Sequence, residues 1–193
     1  TITVVGLGPG RAGLITRESW ELMEKAERLI LRTRIHPTVE VLETAGMNFS
    51  TYDGFYDEAK DFETLYRKIA ADLLVRAAAD GDIVYAVPGS PLVAERTVVL
   101  LRELGKESAV TVDIRPGMSF VEVMYTRLGI DPIDGLTIID AEDVETLKEA
   151  PAQSLVITQV YNQQIASDSK LMLMDLYPDE YEVTYIHNLA LPD

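Results

Sequence analysis

Cysteine is absent from the 193 residues, and histidine occurs only at positions 36 and 187. Disulfides and thiolate zinc sites are thereby excluded, and the composition fits a cytoplasmic protein. Two isolated histidines do not have the spacing of a zinc site, so no metal is expected. Uncharged apolar runs are only a few residues long, too short to span a membrane. A strand-like Ile2-Thr-Val-Val-Gly-Leu-Gly opens the chain, so no signal peptide is expected. Neither a P-loop nor a G-x-S-x-G elbow occurs.

Positive charge is also scarce: 17 Lys and Arg face 32 Asp and Glu, for a net charge of −15. Residues 1–50 are balanced, with six basic and six acidic side chains. Residues 101–193 carry six basic against seventeen acidic, a balance of −11. Such a surface repels phosphate backbones, which argues against nucleic acid as partner and against RNA methylation. Acidity by itself also serves solubility.

What is present is globular: 47% hydrophobic and 25% charged residues, enough for one domain or two small ones. Strand-like runs cover 2–5, 29–31, 83–87 and 110–114. Between them lie helical patterns over 17–28, 63–79 and 92–104. Leu65, Ile69, Leu73 and Ala77 repeat close to the 3.6-residue period. This alternation predicts an α/β fold with a mainly parallel sheet. A sharp turn at Arg115-Pro-Gly-Met118 places a domain boundary near Pro116, giving domains 1–115 and 116–193. The second series offers a helix over 119–128, strands over 136–139, 155–160 and 182–187, and a helix over 163–176.

Two turns invite a ligand. Gly6-Leu-Gly8-Pro-Gly10 lacks the dinucleotide fingerprint, which needs glycine where Arg11 stands, and Pro9 removes an N–H that a pyrophosphate would use. The second strand also ends in basic Arg32-Thr-Arg34 instead of a ribose-binding acid. A nucleoside without pyrophosphate suits this turn better, S-adenosylmethionine being the commonest, and a tight turn with no ligand stands beside that reading. In Pro88-Gly-Ser-Pro91, Gly89 permits close approach to the backbone, and Pro91 suits the first turn of a helix. Ser90 offers a hydrogen-bonding hydroxyl or a helix N-cap.

Other clusters have plainer readings. Asp57, Glu58, Asp61 and Glu63 suit a solvated helix start. Tyr52, Phe55 and Tyr56 could close over a flat ring but more simply pack beneath a loop. Leu171-Met-Leu-Met174 suits a core or a dimer interface. His36, before Pro37, belongs to an extended surface loop, and His187 to the edge of a strand.

Taken together, Val4-Val-Gly-Leu-Gly-Pro-Gly10 with Leu14-Ile-Thr16, Pro88-Gly-Ser-Pro91, Pro116-Gly-Met-Ser119 and Asn188-Leu-Ala-Leu-Pro-Asp193 resemble, in order and spacing, the turns of the tetrapyrrole (corrin and porphyrin) methylase family. Residues Ile83–Val98, Gln159-Val-Tyr161 and Leu176-Tyr-Pro-Asp179 resemble one branch. In that branch the methylase-like domain precedes a MazG-type nucleoside triphosphate pyrophosphohydrolase. The resemblance implies a two-domain α/β fold, a homodimer, and S-adenosylmethionine in a cleft between the domains with a small-molecule methyl acceptor. Its cofactor contacts map onto Gly8, Pro9, Gly10, Gly89, Ser90, Val93, Ser119, Phe120, Tyr161, Leu189 and Ala190, and it assigns no catalytic residue. Arg11-Ala12 replaces the family's usual Asp-Pro, and Ser90 stands where Asp or His is usual. The family's final strands would lie past residue 193, so a longer chain is expected. Methyl transfer from a sulfonium needs positioning more than acid–base groups, in keeping with the scarcity of histidine.

Overall fold

The computed structural model describes residues 1–57 and 61–191. Five strands, β1 (Ile2–Gly6), β2 (Leu29–Leu31), β3 (Phe49–Thr51), β4 (Ile83–Val87) and β5 (Val112–Ile114), form one sheet in the order β3-β2-β4-β1-β5. Every pairing in it is parallel. β1, β2 and β4 are largely apolar because helices cover both faces, as a parallel sheet requires, whereas the edge strands β3 and β5 carry Ser50, Thr51 and Asp113.

Alternation along each strand sorts side chains between two cores. Ile2, Val4, Ile30, Ile83, Tyr85 and Val87 point to one face, where they meet α4 (Phe62–Asp80) and α5 (Arg96–Gly105). Val5, Leu7, Leu29, Leu31 and Ala86 point to the other, against Met23 of α1 (Arg17–Glu24) and Val39 and Leu42 of α2 (Val39–Thr44). The predicted stripe of α4 is buried at all four positions, Leu65, Ile69, Leu73 and Ala77. Asp61 caps that helix by accepting the Thr64 N–H at 2.8 Å, and Gly81 ends it with φ +95°.

Several boundaries differ from expectation for local reasons. The helix predicted over 92–104 starts only at Arg96, because Ala94 takes a left-handed φ of 53°. Its cap is Glu95, not Ser90: the Glu95 carboxylate accepts the Thr97 N–H at 3.2 Å. α1 stops at Glu24, four residues short of the predicted end at 28. Also unforeseen are α2, β3 and the short α3 (Asp53–Asp57). Residues 58–60 of the acidic cluster lie outside the described residues.

The chain divides into two compact units, Thr1–Met124 with the segment from Asn188 onward, and Tyr125–His187. The division falls inside α6 (Phe120–Leu128), beyond the Pro116 turn, and Met124 of that helix is buried. The second unit holds the parallel pair β6 (Leu136–Asp140) and β7 (Ser154–Thr158), followed by α7 (Gln163–Met174). Ala141 and Val144, in the short 3₁₀ segment after β6, are buried. No strand forms over 182–187, a correction to the sequence reading. β-prone residues become a strand only where a neighbouring strand supplies the ladder, and Tyr181, Val183 and Tyr185 are exposed. His187 accordingly ends no strand and stacks on Tyr185, with ring centroids 6.2 Å apart. Leu171 and Met174 of α7 are exposed rather than part of the unit's core.

Candidate ligand-binding site

The strand order reverses direction at β1. From β1 the chain moves to β2 and β3 on one side, returns through β4, then crosses to β5 on the other. Parallel sheets bind ligands at the carboxyl ends of strands beside such a reversal. Here those ends belong to β1 and β4, which run side by side with Gly6 opposite Val87.

The described parts of all four predicted turns meet there, within the first unit. The Gly6–Gly10 turn is tied to the Pro88–Pro91 turn by a reciprocal pair of backbone bonds. The Gly8 N–H donates to the Gly89 carbonyl at 3.2 Å, and the Gly89 N–H to the Gly8 carbonyl at 2.9 Å. The Leu7 N–H donates to Val87 at 2.8 Å. Gly117, of the third turn, lies so near that a Cβ on it would come 3.0 Å from Pro91 Cδ and 3.4 Å from Gly6 Cα. The fourth turn closes on the first, with the Arg11 N–H donating to the Ala190 carbonyl at 3.2 Å. A Cβ on Gly10 would sit 2.5 Å from that same oxygen.

These glycines serve different purposes. Gly8 and Gly89 have φ of +72° and +68°, a region costly for side chains. Around Gly6, Gly8 and Gly10 a Cβ would strike backbone, so these three permit the turns to pack. Around Gly89 a Cβ would meet nothing within 4 Å. Gly89 therefore presents bare backbone to open space, with Ser90 and Val93 half-buried on the same loop.

The remaining expected contacts fall in three places. Pro9 is half-buried in the first turn, and Leu189 and Ala190 are half-buried in the fourth, Ala190 with φ 68°. Ser119 is buried, and its side chain is engaged in capping α6: it accepts the Val121 N–H at 3.1 Å and donates to Glu122, which also accepts the Ser119 N–H at 2.8 Å. The Ser-x-x-Glu spacing of this capping box is readable in sequence. Phe120 is half-buried beside it. Tyr161 belongs to the second unit, just past the left-handed Gln159, and is 63% exposed.

Three residues at this end of the sheet had no local signal. His36 is half-buried instead of lying free on a loop. Its Nδ1 accepts the Thr38 N–H at 3.3 Å and lies 2.7 Å from Thr38 Oγ1, and its ring also meets the Gly8 backbone. Burial pushes its pKa below the ordinary value, with the Gly8 contact opposing. Arg32, just past β2, and Glu95, just before α5, form a buried ion pair at 2.5 Å. Burial draws the Arg32 pKa down, but Glu95 and Tyr56 outweigh it and hold the guanidinium firmly charged.

Beneath them the aromatic cluster is packing, as its simpler reading held. Tyr52 is buried edge-on to Phe55 and Tyr85, and its hydroxyl donates to Asp72 at 2.8 Å. Burial drives the Tyr85 phenol pKa far up. Among the described residues no group of three or more His, Cys, Asp or Glu is placed to hold a metal ion, and no helix is long and apolar enough to cross a membrane.

A parallel sheet covered on both faces, with four turns converging at its carboxyl edge, defines an α/β protein of the doubly wound class. The chain belongs to the family of tetrapyrrole (corrin/porphyrin) methylases, whose sequence profile matches residues 1–193. It is 42% identical over 185 residues to the uncharacterized protein YabN of Bacillus subtilis (strain 168), covering 96% of this chain. The chain spans 38% of that relative's length. Its fold is similar to uroporphyrin-III C-methyltransferase from Thermus thermophilus, with TM-score 0.65 and 19% identity over 93% of this chain and 73% of that one. A structure of the Thermus enzyme complexed with S-adenosylhomocysteine matches with TM-score 0.59 and 18% identity, covering 89% of this chain and 72% of the other.

Proposed function

We propose that the first unit binds S-adenosylmethionine at the carboxyl ends of β1 and β4, and that the protein transfers its methyl group to a small-molecule acceptor. The observation that carries this is the contrast between Gly89, whose missing side chain leaves open space, and Gly6, Gly8 and Gly10, whose missing side chains are filled by neighbouring backbone. Family membership and the S-adenosylhomocysteine complex of the Thermus enzyme support the choice of ligand. A tetrapyrrole acceptor is supported by the family description alone.

When bound, the cofactor supplies a methyl group already activated by its sulfonium. The chain's part is to hold that group in line with the acceptor and to exclude water. Gly8, Pro9 and Gly10 form one wall of the site and Gly89, Ser90 and Val93 the other. Ala190 borders the first turn at Gly10 and Arg11, with Leu189 next to it in the chain. Ser119 contributes by fixing the start of α6, because both its hydroxyl and its N–H are engaged within the capping box. On this reading the protein works as a cytoplasmic homodimer.

Isothermal titration with S-adenosylmethionine and S-adenosylhomocysteine tests the reading. Micromolar binding of either is expected, and binding of neither at millimolar concentration would overturn it. Ser90→Asp should change the affinity without altering the fold.

A second reading rests on the chain spanning 38% of its YabN relative. There the chain is a non-catalytic ligand-sensing or dimerising module of a MazG-type nucleoside triphosphate pyrophosphohydrolase. Adding S-adenosylmethionine to the full-length protein should then alter pyrophosphohydrolase activity. An unchanged rate would remove this reading.

A further inference from the structure

Arg32 sits where three segments of the first unit end. Its own backbone N–H continues the β2–β4 ladder by donating to Ala86 at 2.9 Å, which fixes the residue at the carboxyl edge of the sheet. Its guanidinium reaches three different segments. Nε donates to the Tyr56 hydroxyl of α3 at 3.0 Å, and one terminal nitrogen donates to Glu95 at 2.5 Å. The same group lies over the Tyr66 ring of α4, 5.5 Å from its centroid. The Glu95 side chain is 2% exposed and that of Arg32 21%, so water competes little for the pair.

Glu95 closes the loop that starts at Pro88. One end of this loop is held to the first turn through Gly89 and Gly8. The other is held by Glu95, whose two carboxylate oxygens divide their work. Oε2 takes Arg32, and Oε1 accepts the Thr97 N–H that begins α5. Between these anchors the backbone is under strain, for Ala94 holds φ 53° without being glycine. A strained segment keeps its shape only where its surroundings over-determine it. Within the loop, the Val93 N–H donating to Ser90 at 3.1 Å is a turn contact and does not anchor either end.

We propose that Arg32 is a positioning residue: through Glu95 it sets the conformation of the Pro88–Ala94 loop, and so the affinity of the site for its nucleoside ligand. It acts without touching that ligand. Tyr56 extends the arrangement to α3, so that a change on that short helix reaches the Gly89 loop by way of one guanidinium. The inference rests on the reading of the site as an S-adenosylmethionine site for its ligand arm, and on structure alone for its loop arm.

The test compares Arg32→Met, Arg32→Lys and Glu95→Gln with the unaltered protein, each first shown to be folded by circular dichroism. Titration with S-adenosylhomocysteine should show at least a tenfold loss of affinity in Arg32→Met, with most of it restored in Arg32→Lys. Amide hydrogen exchange, read without ligand, should accelerate at least tenfold at Gly89 and Val93 in Arg32→Met, while amides of β1 and β4 stay protected. Glu95→Gln keeps the cap but loses the charge, and covers the case in which Arg32→Met fails to fold. It should give the same loop acceleration. Unchanged exchange at Gly89 and Val93 in folded variants overturns the proposal. Wild-type affinity in folded Arg32→Met does so as well. If the unaltered protein binds no S-adenosylhomocysteine but its loop loosens as described, the ligand assignment fails and the role of Arg32 stands.

Discussion

Gly6 and Gly89 face each other asymmetrically: a Cβ on Gly6 would lie 2.3 Å from the Gly89 carbonyl oxygen, whereas a Cβ on Gly89 would meet nothing within 4 Å. The two alanine variants should therefore fail differently. Gly6→Ala must displace backbone between β1 and the second turn, and a loss of about 2–4 kcal/mol is expected, in line with severe overpacking. Gly89→Ala places a methyl in open space and costs only the strain of φ +68°, about 1–2 kcal/mol. It should remain folded yet bind S-adenosylhomocysteine at least tenfold more weakly, because the methyl occupies ligand space. Urea unfolding and calorimetric titration separate the two effects. Equal affinity in Gly89→Ala would show that its open face is not where the ligand lies.

Ala94 offers a change in the opposite direction. Its φ of 53° is a conformation glycine adopts freely. Relief of about 1–2 kcal/mol of strain is offset by about 0.5–1 kcal/mol of added chain entropy. Ala94→Gly should be neutral to slightly stabilising, by at most about 1.5 kcal/mol. A thermal midpoint several degrees lower would contradict the strain assigned to this loop.

The Ser119–Glu122 capping box holds the start of α6. Removing either side chain leaves helix N–H groups unpaired, so Ser119→Ala or Glu122→Ala should each cost about 1 kcal/mol. The double variant should cost less than the sum, because the two act on one another. Chemical denaturation of the three variants checks this, and strict additivity would argue against reciprocal capping.

Asp53 carries an acid-dependent contribution. Burial alone would raise its pKa, but hydrogen bonds from Thr33 Oγ1 at 2.6 Å and the Arg34 N–H at 2.8 Å outweigh it, and the pKa falls below the ordinary 3.8. A depressed carboxyl pKa means that the unfolded chain binds the proton more readily. The stabilisation is thus complete above pH 3.8 and disappears as the pH falls through the lower, folded value. The stability gap between the protein and Asp53→Asn should be widest near neutrality and close in strong acid. Denaturation profiles at several pH values would read it, and a gap independent of pH would refute the assignment.

Much of the first unit was legible in the linear chain because its elements are set by local pattern. The α4 stripe follows the 3.6-residue period, and β2 and β4 are unbroken apolar runs between turns. Short elements were lost for the converse reason. β3, with only Phe49, Ser50 and Thr51, owes its existence to β2 beside it. Residues 182–187 have strand-like composition, but no ladder forms on them, so composition misled.

The sequence by itself determined the class of sheet, the turns and the family, because glycine and proline place turns by their own backbone limits and apolar periodicity does not depend on distant partners. Tertiary structure alone decided which glycine of the first two turns is open and which are packed, since that depends on the Gly89 oxygen lying over Gly6 and the Ala190 oxygen over Gly10. It also decided that Ser90 caps no helix while Glu95 does, and that Glu95 meets Arg32 across 63 residues of chain. Contacts of that range are set when strands fall into order, and no local pattern encodes them.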